Sequence, residues 1–242
     1  MSFVTIHEHV FTDQHVPDGF LPLGLVKALR VKPIGHFVNW LLRHVGWRGD
    51  MLDRVRRVLL HIEAKSQQEN FERLVDLHWP CSVEYREDGS AQPIPKPTIC
   101  VLGMDFTYAG LGHVPVSVEE QIAEACALEY RGVSPKVFLP IDPRRNTFLL
   151  SRPKGDEPRR ERFTGSPFEW VHQMLAWHPC IAGLKLYCPL GYRANDPLLD
   201  PVWELAQERN LPVISHMGGT SVRGKGVSKQ QALDLIDRET HV

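Results

Sequence analysis

Ile181-Ala182-Gly183-Leu184-Lys185-Leu186-Tyr187 and Leu211-Pro212-Val213-Ile214-Ser215-His216 are two short apolar runs, and Asp200–Arg209 between them has the pattern of a helix. Asp200 stands where an N-cap is wanted. Pro201 suits the first helical turn, where its missing N–H would have had no intrahelical partner. Strand, helix and strand in that order read as a βαβ unit with its strands parallel in one sheet. The same alternation extends towards the N-terminus. Phe3–His9, Thr98–Met104 and Lys136–Ile141 read as strands, and Ser117–Arg131 and Pro167–Trp177 as helices. Ser117-Val118-Glu119-Glu120 has the spacing in which a serine and a glutamate cap each other's backbone N–H, and Gly132 provides a stop.

About five such units set the expected class: α/β, a partial TIM-like (β/α)8 barrel. Closure needs eight strands, so residues 1–242 are expected to form a single, incomplete barrel domain and to be incomplete as an enzyme. Residues 10–97, between the first two strands, far exceed an ordinary βα loop and helix. They are expected to form a helical cap inserted after strand 1. Within them Leu23–Val45 reads as one or two short helices and Asp50–Leu77 as one long amphipathic helix. Arg144–Gly165, rich in arginine, reads as a solvated loop, with an anion-binding lid as the sharper alternative. Ser228–Asp237 is a further, weakly patterned helical stretch.

Composition narrows the function. The 242 residues are 43% hydrophobic, with 28 Lys plus Arg against 29 Asp plus Glu. That balance gives no basic field for nucleic acid. No apolar run approaches the roughly 20 residues of a membrane span, and the first residues do not read as a signal peptide. The five cysteines include no C-x-x-C pair, which argues against a disulfide framework and for a reducing, cytoplasmic setting. The expected partner is a small-molecule substrate, with homo-oligomer formation left open for a full-length form.

The chemistry lies in the histidines. His7-Glu8-His9 ends the first strand, and strand alternation turns His7 and His9 to one face and Glu8 to the other. Two imidazoles on one face can hold one divalent ion such as Zn2+. His216 ends the fifth strand. In a parallel barrel the C-terminal strand ends surround the active-site mouth, so His7, His9 and His216 are the expected metal ligands. Lys185 and Arg193 are candidates for substrate binding. Asp105 and Asp142 also end strands, although Asp142-Pro143 is an ordinary turn signal. Gly219–Gly226 nearly matches a phosphate-binding G-x-x-x-x-G-K-[ST] loop, but Gly226 lacks the required hydroxyl.

His7-x-His9, the segment Gly183–Tyr192, and Asn195–Ala206 through His216 resemble the amidohydrolase superfamily. The likeness is to the amidohydrolase-related branch that includes aminocarboxymuconate-semialdehyde decarboxylase. It extends to about Lys229, strongest over 183–219 and thin over 10–97. The resemblance implies zinc on His7, His9 and His216. It implies a further histidine and a catalytic aspartate from strands beyond these residues, so no catalytic residue is assigned. Thr5 replaces an aspartate common in the family. Lys185 meets a substrate anion, pairs with a carboxylate or, carboxylated as in some superfamily members, bridges two metals. The implied activity is zinc-dependent hydrolysis of a C–N or C–O bond in a small molecule. The alternatives are non-oxidative decarboxylation and an inactive fragment.

Overall fold

The computed structural model describes residues 4–21, 24–31, 40, 62, 64–85, 90–145, 147–151, 160–216 and 222–235. In chain order the strands are β1 (Val4–Glu8), β2 (Val83–Tyr85), β3 (Ala91–Pro93), β4 (Thr98–Leu102), β5 (Lys136–Ile141), β6 (Thr147–Ser151), β7 (Arg160–Thr164), β8 (Ile181–Leu186) and β9 (Val213–Ser215). The α-helices are α1 (Leu25–Arg30), α2 (Gln67–His78), α3 (Val118–Cys126), α4 (Pro167–Trp177), α5 (Asp200–Glu208) and α6 (Lys229–Asp234).

β1, β4, β5, β8 and β9 lie side by side in that order, all parallel, as one five-stranded sheet. Alternation sorts their side chains into two environments. Ile99, Val101, Val137, Leu139, Ile141, Leu184 and Leu186 face the helices and join Phe71, Ile122, Trp170, Met174 and Val202 in the main core. Cys100, Leu102 and Phe138 point the other way, into a small inner cluster that also takes Ile214. Lys185 is in register between Pro140 and Ile214 and lies on that inner face. The sheet curls into a half-barrel. Strands lie about 4.8 Å apart, so four spacings would put β1 and β9 roughly 19 Å apart in a flat sheet. Yet the rings of His7 and His216, at the ends of these strands, are 6.0 Å apart.

Helix starts follow local chemistry. Ser117 accepts from Glu120 N at 3.2 Å while Glu120 Oε2 accepts from Ser117 N at 3.1 Å, and Ser166 and Glu169 repeat the arrangement ahead of Pro167. Ser66 caps α2, so the expected continuous helix Asp50–Leu77 is broken there. Its part over 50–61 lies outside the described residues, as does most of Leu23–Val45. Asn70 Nδ2 donates to the carbonyls of Val10 and Phe11, each at 3.3 Å, and Gln67 Nε2 to Gln121 O at 3.0 Å. These bonds set α2 in the outer layer beside α3. The span 10–97 also contains the antiparallel β2–β3 hairpin.

Three local expectations need correction. Helix α3 ends at Cys126 rather than Arg131; Arg131 and Gly132 both adopt positive φ in the following turn. Within the arginine-rich stretch after Asp142, expected as a loop, β6 and β7 pair as antiparallel strands, and residues 152–159 between them lie outside the described residues. A 3-10 turn, Pro197–Leu199, precedes α5 and is capped by Asp196, so Asp200 lies inside the helix instead of capping it. The expected absence of a disulfide also fails: Cys126 and Cys180 are bonded, with Cα atoms 5.8 Å apart. The cysteine argument for a reducing compartment therefore loses its basis. No helix among the described residues is long and apolar enough to cross a membrane.

Candidate metal centre

Strand alternation works out at β1 as the sequence requires. Glu8 turns outward and its Oε1 pairs with His78 Nε2 at 3.0 Å. His7 and His9 share the inner side, with ring centres 5.2 Å apart. His9 Nδ1 lies 3.0 Å from Leu102 O. A carbonyl only accepts, so Nδ1 carries the proton and Nε2 the lone pair of the neutral ring. Fixing a tautomer through a backbone carbonyl is how a metal-ligating histidine is oriented. His216 follows β9, its backbone N–H bonding Leu186 O at 3.1 Å. Its ring lies against Tyr187, with centres 4.7 Å apart and planes inclined by 30°.

Electrostatics favours the neutral form of the His7 and His216 rings. Burial pushes the His216 pKa down to about 4, helped by Lys185 and His7. Burial and then Lys185 also lower that of His7. Neutral imidazole is the form that binds a metal. Two imidazoles on one tetrahedral zinc, with Zn–N about 2.0–2.1 Å, hold their ring centres roughly 5 Å apart. The separations of 5.2 Å and 6.0 Å are close to that spacing. Among the described residues no group of three or more His, Cys, Asp or Glu side chains is converged to hold a metal ion. Neutral imidazoles are donors of the type a divalent ion takes. Thr5 Oγ1 is buried without a hydrogen-bond partner, so it does not orient a ligand as an aspartate there would.

Lys185 joins the same cluster. It is 1% exposed, its Nζ has no hydrogen-bond partner, and burial lowers its pKa to about 8. Arg193 does not join it. That side chain is exposed and lines a separate cavity of about 320 Å³ with Gly191, Gly226, Val227, Gln231, Asp234 and Leu235. The residues 217–221 of the glycine-rich stretch lie outside the described residues, and α6 starts at Lys229 under a Ser228 cap, not at Lys225.

Asp105 and Asp142 are both committed to arginines. Arg144 reaches Asp142 through Nε at 2.8 Å and its backbone N–H at 2.9 Å. Arg145, only 2% exposed, pairs with Asp105 and bonds Glu119 Oε1 at 2.9 Å. Burial works against the Asp105 carboxylate, but Arg145 and Thr107 hold its pKa below the usual range. Arg145 is thus a buried ion-pair residue, contrary to its expected place in a solvated loop. Sequence reading also missed Tyr192. Its hydroxyl accepts from Tyr187 N at 2.7 Å and donates to Ile141 O at 2.7 Å, joining the ends of β5 and β8 beneath the ring that flanks His216. Comparison of the chain with protein-family models, curated proteins and solved structures finds no match.

Proposed function

We propose that this chain carries the N-terminal part of a TIM-like amidohydrolase barrel. In this reading it is a metal-dependent hydrolase acting on a C–N or C–O bond of a small molecule, with His7, His9 and His216 holding zinc. The observation that carries the reading is the meeting of histidines from the two outermost strands on the inner side of a curled parallel sheet. Bound zinc would lower the pKa of water and polarise a substrate carbonyl. The protein's own part is positional: Leu102 O fixes the His9 tautomer, Tyr187 flanks His216, and Lys185 binds substrate. Asp105 and Asp142 are held by arginines, so neither is assigned as the proton shuttle.

The test is zinc retention. Wild-type protein loaded with zinc and desalted is compared with His7→Ala and His216→Ala by elemental analysis. Near-stoichiometric zinc in the wild type and reduced zinc in both variants is expected. Equal retention in all three would sink the assignment.

A further inference from the structure

Another cavity, of about 400 Å³, lies in the outer layer where the 3-10 turn Asp13–His15 meets the start of α2 and the end of α3. That volume falls in the range of small-molecule pockets, about 300–1,000 Å³. Part of its wall is polar and almost wholly buried: Thr12, His15 and Gln67 are 2%, 3% and 2% exposed. Thr12 N donates to His15 Nδ1 at 3.0 Å, so Nε2 carries the proton of the neutral ring. That Nε2 donates to Glu124 Oε2 at 3.2 Å. Gln67 Nε2 donates to the same oxygen and to Gln121 O, each at 3.0 Å. Both amide hydrogens of Gln67 are then used, and its Oε1 has no donor among the described residues. The same holds for Glu124 Oε1. Bracing of the turn against α2 and α3 accounts for the bonds that are made. It does not account for two acceptors, one of them on a buried amide, left open on residues that line one cavity, since an unanswered acceptor there costs stability. Lys65, exposed at the rim, makes no ion pair among the described residues. Val116, Ala127 and Leu128 supply the apolar lining.

We propose that this cavity binds a free amino acid with an apolar side chain, at a site apart from the candidate metal centre. An ammonium group has three N–H donors and no acceptor, which answers Glu124 Oε1 and Gln67 Oε1 together. The carboxylate of the same molecule meets Lys65 in a charge-assisted contact. The side chain lies on Val116, Ala127 and Leu128. A simple cation would leave Lys65 unanswered and be repelled by it, and a simple anion would meet Glu124; a zwitterion satisfies both. The site belongs to the helical layer, whereas His7, His9 and His216 lie on the inner side of the sheet, so the binding does not depend on the hydrolase reading or on zinc.

The probe is L-leucine. Its counterparts are 3-methylbutylamine, which lacks the carboxylate, and 4-methylpentanoate, which lacks the ammonium. Chelator-treated protein is titrated with each by calorimetry, and the His15 ring resonances are followed by NMR. Leucine is expected to bind saturably and to shift His15, the amine to bind more weakly, and the acid not at all. Glu124→Gln and Lys65→Met change exposed side chains and are expected to fold. Each should weaken leucine by on the order of tenfold. Glu124→Gln should weaken the amine as well, and Lys65→Met should not. His7→Ala should bind leucine as the wild type does. No saturable response to leucine, or unaltered leucine binding in Glu124→Gln, overturns the proposal. The amine binding as tightly as leucine, or leucine unaffected by Lys65→Met, overturns the assignment of a zwitterion. Loss of leucine binding in His7→Ala would place the ligand at the strand-end histidines and overturn the separate site.

Discussion

His7 and His216 lie at the ends of the two outermost strands of a five-stranded sheet, and their rings are 6.0 Å apart. Only a curled sheet allows that distance, because each strand spacing adds about 4.8 Å. The fold and the candidate site are therefore one geometric fact: whatever opens the curl separates these two histidines.

The Cys126–Cys180 bond joins the end of α3 to the residue before β8 across 54 residues. Loop-closure entropy for a span of that length is worth about 4 kcal/mol. Urea denaturation with and without a phosphine reductant should show a loss of that order, and Cys180→Ser should become insensitive to reductant. Identical curves with and without reductant would show that the bond contributes nothing to stability.

Arg145→Met should be strongly destabilising. It leaves the Asp105 carboxylate, in a residue 5% exposed, without its cation, at a cost of about 3–5 kcal/mol. The double variant Asp105→Asn, Arg145→Met should recover part of the loss, since only Glu119 of the two carboxylates is then left without the arginine. Chemical denaturation of the three proteins measures this, and a double variant less stable than Arg145→Met would contradict it.

Much of this was legible in the sequence. The order of the five sheet strands and the helices between them, the Ser117–Glu120 capping box and the shared face of His7 and His9 follow from periods of two and 3.6 and from capping chemistry. The Arg145–Asp105 pair was not legible. Its members are 40 residues apart, and only the β4–β5 register brings their strand ends together. The β6–β7 hairpin was hidden because its charged residues resemble a solvated loop. The disulfide was hidden because Cys126 and Cys180 share no local motif and meet only where the fold brings the end of α3 to the residue before β8. Tyr192 has the same character: its two bonds reach across strands that the sequence alone does not align.

Tyr192→Phe removes the hydroxyl between Tyr187 N and Ile141 O. Loss of a buried, doubly bonded hydroxyl should cost about 1–3 kcal/mol. It should also loosen Tyr187 against His216, seen as a changed ring-current shift on His216. A stable variant with an unmoved His216 resonance would separate Tyr192 from the site.

The stability of metal-free protein should fall with acid. His216 has a pKa of 6.5 when unperturbed and about 4 in the fold, so the unfolded chain takes up a proton first. Its full contribution is present above about 6.5 and is lost as pH drops from there towards 4. His15, buried and with its pKa lowered mainly by that burial against the opposing pull of Glu124, acts in the same direction. Melting temperatures measured between pH 7.5 and 4.5 should fall less steeply in His216→Asn than in the wild type. Parallel pH profiles would remove His216 from this role.

The central claim is that three imidazoles from β1 and β9 share one metal ion. X-ray absorption at the zinc edge of the loaded protein tests it most directly. The account predicts a first shell with three imidazole nitrogens at about 2.0–2.1 Å, each with the outer-shell scattering of its ring. A shell containing sulfur at about 2.3 Å, or oxygen alone without imidazole scattering, would contradict it.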